Sequence, residues 1–213
     1  MIRLITSYYK DSDAGRQKEI ELCLKNNIKN SVIDEIILLS ESKINLGENT
    51  KVNVISRTRP TFGDFFKVIN DITKNTDINI LTNSDIFFDD SLSNLNSMDL
   101  SNTVLSLLRW EYNNKNPKIL QYRGDCQDTW IWCGKLKKLK YVDFYLGKLG
   151  CDNRIAWEFK NAGYNLKNPC NLIKSIHLHE TNTRNYNQTF VGTPEHEKNK
   201  DVVPPPYLYV YPE

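Results

Sequence analysis

Residues 78–90 read Ile78-Asn79-Ile80-Leu81-Thr82-Asn83-Ser84-Asp85-Ile86-Phe87-Phe88-Asp89-Asp90. An apolar run of strand length empties into a small polar cluster that holds a carboxylate, and apolar residues then resume. In open parallel sheets ligands bind beyond the carboxyl ends of the strands, so Asp85 falls where chemistry is expected. A hard divalent cation carrying a diphosphate needs only one or two protein carboxylates, because phosphate oxygens and water fill its other positions. Asn83 and Asp85 also suit a plain turn that satisfies local backbone donors, and on these residues alone both readings stand.

Toward the N-terminus, strand and helix signals alternate. Ile2 to Thr6 is a strand-length apolar run, and Asp13 to Asn30 places Ile20, Cys23, Leu24 and Ile28 at helical spacing. Asp34 to Leu39 and Val52 to Ile55 read as further strands. From Thr61, the residues Phe62, Phe65, Phe66, Ile69 and Ile72 mark one face of a second helix. This alternation predicts an α/β domain whose central sheet is mainly parallel and flanked by helices. Beyond Asp85, strands richer in aromatics are expected at Thr103–Glu111 and Asp128–Cys133. A helix follows Gly150-Cys151-Asp152, with Gly163 placed to stop it, and Ile173–His179 is the last strand. One domain with two halves, 1–90 and 91–181, therefore precedes a segment, 182–213, that turns polar and ends Val202-Val203-Pro204-Pro205-Pro206-Tyr207. Its prolines suit an extended strap or linker.

Composition removes several classes. The 28 basic and 26 acidic residues are well mixed, which leaves no basic stripe for nucleic acid. No apolar run approaches the roughly 18 residues that cross a bilayer. Met1–Thr6 is too short for a secretory signal, so a cytoplasmic protein is expected. The five cysteines form no CxxC pair and read as reduced, mostly buried thiols. The glycine patterns of dinucleotide folds and P-loops are missing after the first strand, which argues against dehydrogenases and kinases.

Other clusters could carry chemistry. His177 and His179 alternate with Ile176 and Leu178, so both imidazoles point to one side of a strand, where one could join a metal shell. Asp152 falls where a helix N-cap belongs, and also on a glycine-framed loop from which a general base could reach an acceptor. Thr6-Ser7-Tyr8-Tyr9 ends the first strand. Ser56-Arg57-Thr58-Arg59 leads into a helix start, a setting that favours phosphate oxygens. Arg109-Trp110-Glu111 and Gln127-Asp128-Thr129-Trp130 set aromatics beside polar groups, as sugar sites do, although buried tryptophan serves equally.

Together these segments resemble the GT-A class of glycosyltransferases, from the first strand to His179. In that class an Asp-x-Asp motif holds Mn2+ or Mg2+ on the donor diphosphate; here it reads Asn83-Ser84-Asp85, with the last aspartate kept. The resemblance implies a donor site of Thr6, Ser7, Tyr8, Arg57, Arg59, Asn83, Ser84 and Asp85. It implies a metal on Asp85 with His177 or His179. Asp152 becomes the candidate base with Asp128 in reserve, and Trp110, Glu111 and Trp130 face the acceptor. The sequence is also similar to small glycosyltransferase domains of multidomain capsid-glycan enzymes from large DNA viruses of algae, the chlorella viruses. That likeness implies a UDP-sugar donor (UDP-L-rhamnose or UDP-glucose), a glycan acceptor, further domains beyond the linker, and the host cytoplasm as location. With Asp152 as the base, the acceptor hydroxyl would attack from the opposite face and invert configuration. A non-catalytic carbohydrate-binding module using Trp110 and Trp130 is the alternative. A nucleotidyltransferase ranks last, because Ser7-Tyr8-Tyr9-Lys10 is not the glycine-rich basic loop that class needs.

Overall fold

The computed structural model describes residues 1–42, 44, 46, 50–113, 116–119, 123–181, 200–201 and 203–213. Among them, ten strands form one sheet: β1 (Ile2–Tyr8), β2 (Glu35–Ser40), β3 (Val52–Ser56), β4 (Ile78–Thr82), β5 (Ile86–Phe88), β6 (Thr103–Asn113), β7 (Asn116–Ile119), β8 (Gln127–Cys133), β9 (Asn165–Lys167) and β10 (Ser175–His177). The order is β3-β2-β1-β4-β8-β6-β10-β5, with β7 and β9 paired to β6. Strands β3, β2, β1 and β4 are mutually parallel, β8 runs against them, and β6 and β10 return to the first direction.

Three α-helices among the described residues cover the sheet: α1 (Ala14–Lys29), α2 (Phe62–Ile72) and α3 (Cys151–Asn161). Strand alternation explains their placement, because successive side chains face opposite sides. Leu4, Ile36, Leu38, Ile80 and Ile131 pack with Ile20 and Leu24 of α1. Ile5, Ile37, Leu39, Leu81, Trp130 and Trp132 pack with Phe62 and Phe66 of α2 and Phe159 of α3. The expected mixed α/β architecture is thus present, with apolar cores on both faces.

Local signals set the helix ends. Asp13 caps α1 by accepting from the Arg16 N–H, and Thr61 and Asp64 form a reciprocal capping box on α2. Asp152 is not the cap of α3. Gly150 holds that position with φ +78°, a conformation open to glycine, and Asp152 lies in the first turn. Gly163, at φ +82°, follows the end of α3 as expected.

Residues 182–199 and Val202 of the expected strap lie outside the described residues. Residues 203–213 run in extended fashion along α3 and β8. Leu208 N–H donates to Asn153 O, Val210 N–H to Gly124 O, and Gln127 Nε2 to Val210 O. Val203 and Val210 are buried, so this segment contributes to the interior.

Candidate functional site

Backbone pairing assembles the site. Beyond β4 the chain turns through Asn83-Ser84-Asp85, with Ile86 N–H bonded to Asn83 O, and Asp85 O accepts from Leu178 N–H. Antiparallel pairing puts His177 opposite Ile86, and parallel pairing puts it beside Glu111. Asp85, His177 and Glu111 therefore meet although 92 residues separate Asp85 from His177.

His177 bridges two carboxylates, with Nε2 3.1 Å from Asp85 Oδ2 and Nδ1 2.8 Å from Glu111 Oε2. Burial alone would depress its pKa, but Asp85 and Glu111 outweigh that and raise it to about 9. Burial likewise opposes ionisation of Asp85, yet His177 and Arg16 hold its carboxyl well below the usual range. Glu111 is drawn down to about 2, since His177 and Arg109 overcome its desolvation. His179 stacks on His177 at 5.3 Å between ring centroids, and burial plus the neighbouring imidazole lower its pKa.

Arg16 was not foreseen. Its Nη2 donates to Asp85 Oδ2 at 2.5 Å, and Nη1 donates to Glu19 Oε2 at 2.9 Å and reaches His179 Nδ1 at 3.0 Å. Glu19 Oε1 accepts from the Glu180 and Thr181 N–H groups, which locks the chain after His179 onto α1. The approach is close: a Cβ on Gly15 would lie 2.5 Å from Thr181 Cγ2. The one sequence signal was an arginine in the first turn of a helix, where the macrodipole disfavours a cation.

Asp85, His177 and His179 offer ligand atoms within 4.8 Å of one another. Asp85 Oδ1 and His179 Nε2 are buried without a hydrogen-bond partner. Mixed oxygen and imidazole donors with an orphaned carboxylate oxygen fit a divalent cation of the Mn2+ type.

A second carboxylate centre adjoins the first. Arg109 joins them, donating from Nε to Glu111 Oε1 at 2.7 Å and from Nη1 to Asp128 Oδ2 at 3.0 Å. A register shift after Leu107 in β6 precedes Arg109, a place where strands re-aim side chains. Asn83 Nδ2 donates to Asp128 Oδ1 at 2.5 Å, so both Asp128 oxygens are engaged. Half-buried Asp152 accepts from Gln127 N–H through Oδ2, and burial together with Asp128 pushes its carboxyl up to about 7.

The remaining residues divide. Thr6 is buried and its hydroxyl donates to Thr82 O, while Tyr8 faces α1 and Gln17, so neither side chain opens toward Asp85. Ser7 and Ser84 are half-buried, and Tyr9 stands beside Arg16, Asp85 and Ser84. Trp130 corrects the acceptor expectation: it is fully buried on a strand covered on both faces, with its ring edge-on to Phe62 at 5.2 Å. Trp110 is half-buried, with Nε1 bonded to Cys170 O and Lys174 over its ring. Arg57 and Arg59 line a separate groove of about 410 Å3 with Asp64, Asp143, Tyr145 and Lys200. There Arg57 pairs with Asp64, and Arg59 with Asp201 at 3.1 Å. Three strand spacings, about 14 Å, separate β3 from β4, so these arginines are not part of the Asp85 cluster.

No family model matches the sequence, and no curated protein does. Among solved structures, a mannosyltransferase from Pyrobaculum calidifontis, in complex with GDP-Man and Mn2+, is 12% identical with a TM-score of 0.53, over 87% of this chain and 58% of that one. The chain thus spans under two thirds of that protein's length. A 4-diphosphocytidyl-2C-methyl-D-erythritol synthase from Anaerococcus prevotii is 13% identical with a TM-score of 0.46, over 88% and 91% of the two chains. A cytidylyltransferase from Francisella tularensis is 14% identical with a TM-score of 0.42, over 62% and 72%. No helix among the described residues is long and apolar enough to cross a membrane. The likeness to the mannosyltransferase shows the fold, a mixed α/β domain of the GT-A type.

Proposed function

We propose that the chain is a glycosyltransferase that moves a sugar from a nucleoside-diphosphate donor to a glycan acceptor, with Mn2+ or Mg2+ at Asp85. The observation that carries this reading is the buried, unpartnered Asp85 Oδ1 beside two histidines, beyond the carboxyl end of β4. Asp85, His177 and His179 would hold the ion; when bound, it takes up charge on a departing diphosphate. Resemblance of the sequence to the algal-virus domains favours UDP-L-rhamnose or UDP-glucose. The GDP-Man of the Pyrobaculum calidifontis structure supplies the rival nucleotide.

Asp152 is the general base in this reading. A carboxyl pushed up to about 7 is poised near neutrality to accept a proton from the acceptor hydroxyl. As that oxygen bonds to the anomeric carbon, the bond from this carbon to the diphosphate oxygen breaks. The electron pair leaves with the diphosphate, and configuration inverts. Asp128, with both oxygens engaged, holds Asn83 and Arg109 in place. Glu111 is spent on His177 and Arg109, so its role is to orient His177 and not to bind the acceptor.

Titration calorimetry with UDP, GDP and their sugars, with and without Mn2+, tests the reading. A nucleotide sugar whose binding strengthens with Mn2+, and no longer does so in Asp85→Asn, supports it. Absence of nucleotide binding under every metal condition would sink it. Oligosaccharide binding alone would then favour the carbohydrate-binding module.

A further inference from the structure

An internal cation already holds two of the groups that a metal at Asp85 would draw on, Asp85 Oδ2 and His179 Nδ1. Arg16 is 9% exposed, and its guanidinium spans Asp85 Oδ2 at 2.5 Å, Glu19 Oε2 at 2.9 Å and His179 Nδ1 at 3.0 Å. A guanidinium only donates, so His179 Nδ1 must accept and the imidazole proton lies on Nε2. While Arg16 stays, His179 has no lone pair to offer, and Asp85 Oδ2 is occupied from two sides by Arg16 and His177. Of the two Asp85 oxygens, Oδ1 is the one left unpartnered.

Resting on the metal reading above, we propose that Arg16 is a resident counter-ion. It competes with the divalent cation for Asp85 and His179, and transfers to the donor's diphosphate when the cation enters. Three observations carry this. First, Arg16 occupies the first turn of α1, where the helix macrodipole opposes a cation, so its position answers to Asp85 and not to the helix. Second, Glu19 holds the guanidinium through Nη1, while Asp85 takes Nη2. Glu19 is itself fixed by the Glu180 and Thr181 N–H groups, so Arg16 leaving Asp85 keeps one anchor. Third, a divalent cation and a guanidinium so close together repel strongly at low dielectric unless an anion stands between them. A diphosphate is such an anion, and bidentate guanidinium–phosphate pairing is strong.

The consequence is coupling. The metal alone meets competition, the nucleotide diphosphate alone finds Arg16 committed to Asp85, and the two together satisfy every charge. Linkage then requires each ligand to strengthen the other by the same factor.

The test measures Mn2+ binding by the loss of the free-ion electron paramagnetic resonance signal. It uses the whole chain, with and without UDP or GDP, in wild type, Arg16→Gln, Arg16→Lys and Asp85→Asn. Circular dichroism checks each fold, and Arg16→Lys serves if Arg16→Gln fails to fold, since lysine keeps the charge without the fork. In wild type, Mn2+ alone should bind weakly and the nucleotide should strengthen it about tenfold or more. In Arg16→Gln, Mn2+ alone should bind about tenfold tighter, and the nucleotide effect should shrink to about twofold. Arg16→Lys should fall between. Unchanged Mn2+ affinity and coupling in both Arg16 variants, with binding lost in Asp85→Asn, would overturn the role of Arg16 and leave the metal reading standing. Absence of Mn2+ binding in every protein would overturn both.

Discussion

Asn83 donates its side-chain amide to Asp128 Oδ1 at 2.5 Å. This contact gives a physical reason for an amide rather than a carboxylate at position 83. An aspartate there would set two carboxylates face to face, and like charges so close cannot both ionise. Asn83→Asp is therefore expected to destabilise the fold by about 1–3 kcal/mol. One carboxyl of the new pair would have a raised folded-state pKa, so the loss should be larger at pH 8 than at pH 5. Thermal unfolding at the two values reads this directly.

Asp85 is both the candidate ligand and the partner of two buried cations. Asp85→Ala would leave Arg16 with Glu19 alone and His177 with Glu111 alone, and is expected to cost about 3 kcal/mol. Asp85→Asn keeps an acceptor oxygen and should cost less while still losing metal-dependent binding. Comparing unfolding and Mn2+ titration for the pair separates structural from ligand effects.

Glu111 fixes His177 through Nδ1. Glu111→Ala should weaken Mn2+ binding about 10- to 100-fold, as loss of an orienting carboxylate does elsewhere. Glu111→Gln, which can still accept from Nδ1, should recover much of it. Equal losses in the two variants would remove the orienting role.

Asp152 gives a pH signature. If it is the base, turnover should rise with pH through about 7 and level off above it, and Asp152→Asn should be nearly inactive with no such rise. Stability should move oppositely. The folded pKa is raised above its unfolded value, so ionisation costs the folded state at high pH and nothing below about pH 4, where both states are protonated. With the half-exposure of the carboxyl discounted, Asp152→Asn should stabilise by about 1–2 kcal/mol at pH 8.5 and negligibly at pH 4.

Trp130→Ala should cost about 3–5 kcal/mol, because it empties a site packed between β8 and α2. Trp110→Ala, at a half-buried position, should cost much less. A glycan-binding assay on folded Trp130→Phe should show no change.

The sheet was legible where apolar runs were long enough to carry a period. Leu4 against Ile5 and Ile80 against Leu81 sort onto opposite cores as strand alternation requires, and Phe62, Phe65, Phe66 and Ile69 are the buried face of α2. Three-residue strands such as β5 and β9 are too short to show a pattern. Within the site, period-two alternation correctly put His177 and His179 on one side. Arg16 was missed because its placement in a first turn is a weak signal, a lone arginine there reads as solvated, and its partner Asp85 lies 69 residues away. Trp130 misled because polar neighbours suggested an open face, while β8 is hemmed between β4 and β6 and covered by Phe62 and Phe66 of α2.

The contacts of residues 203–213 with α3 and β8 bear on biogenesis. Gln127 Nε2 waits for Val210 O, 83 residues later, and Asn168 Nδ2 waits for the same carbonyl. During synthesis Gln127 and Asn168 therefore stay without this partner until Val210 has left the ribosome. A released chain truncated ahead of Val203 holds every strand of the sheet and should form it, yet remain protease-sensitive at the start of α3.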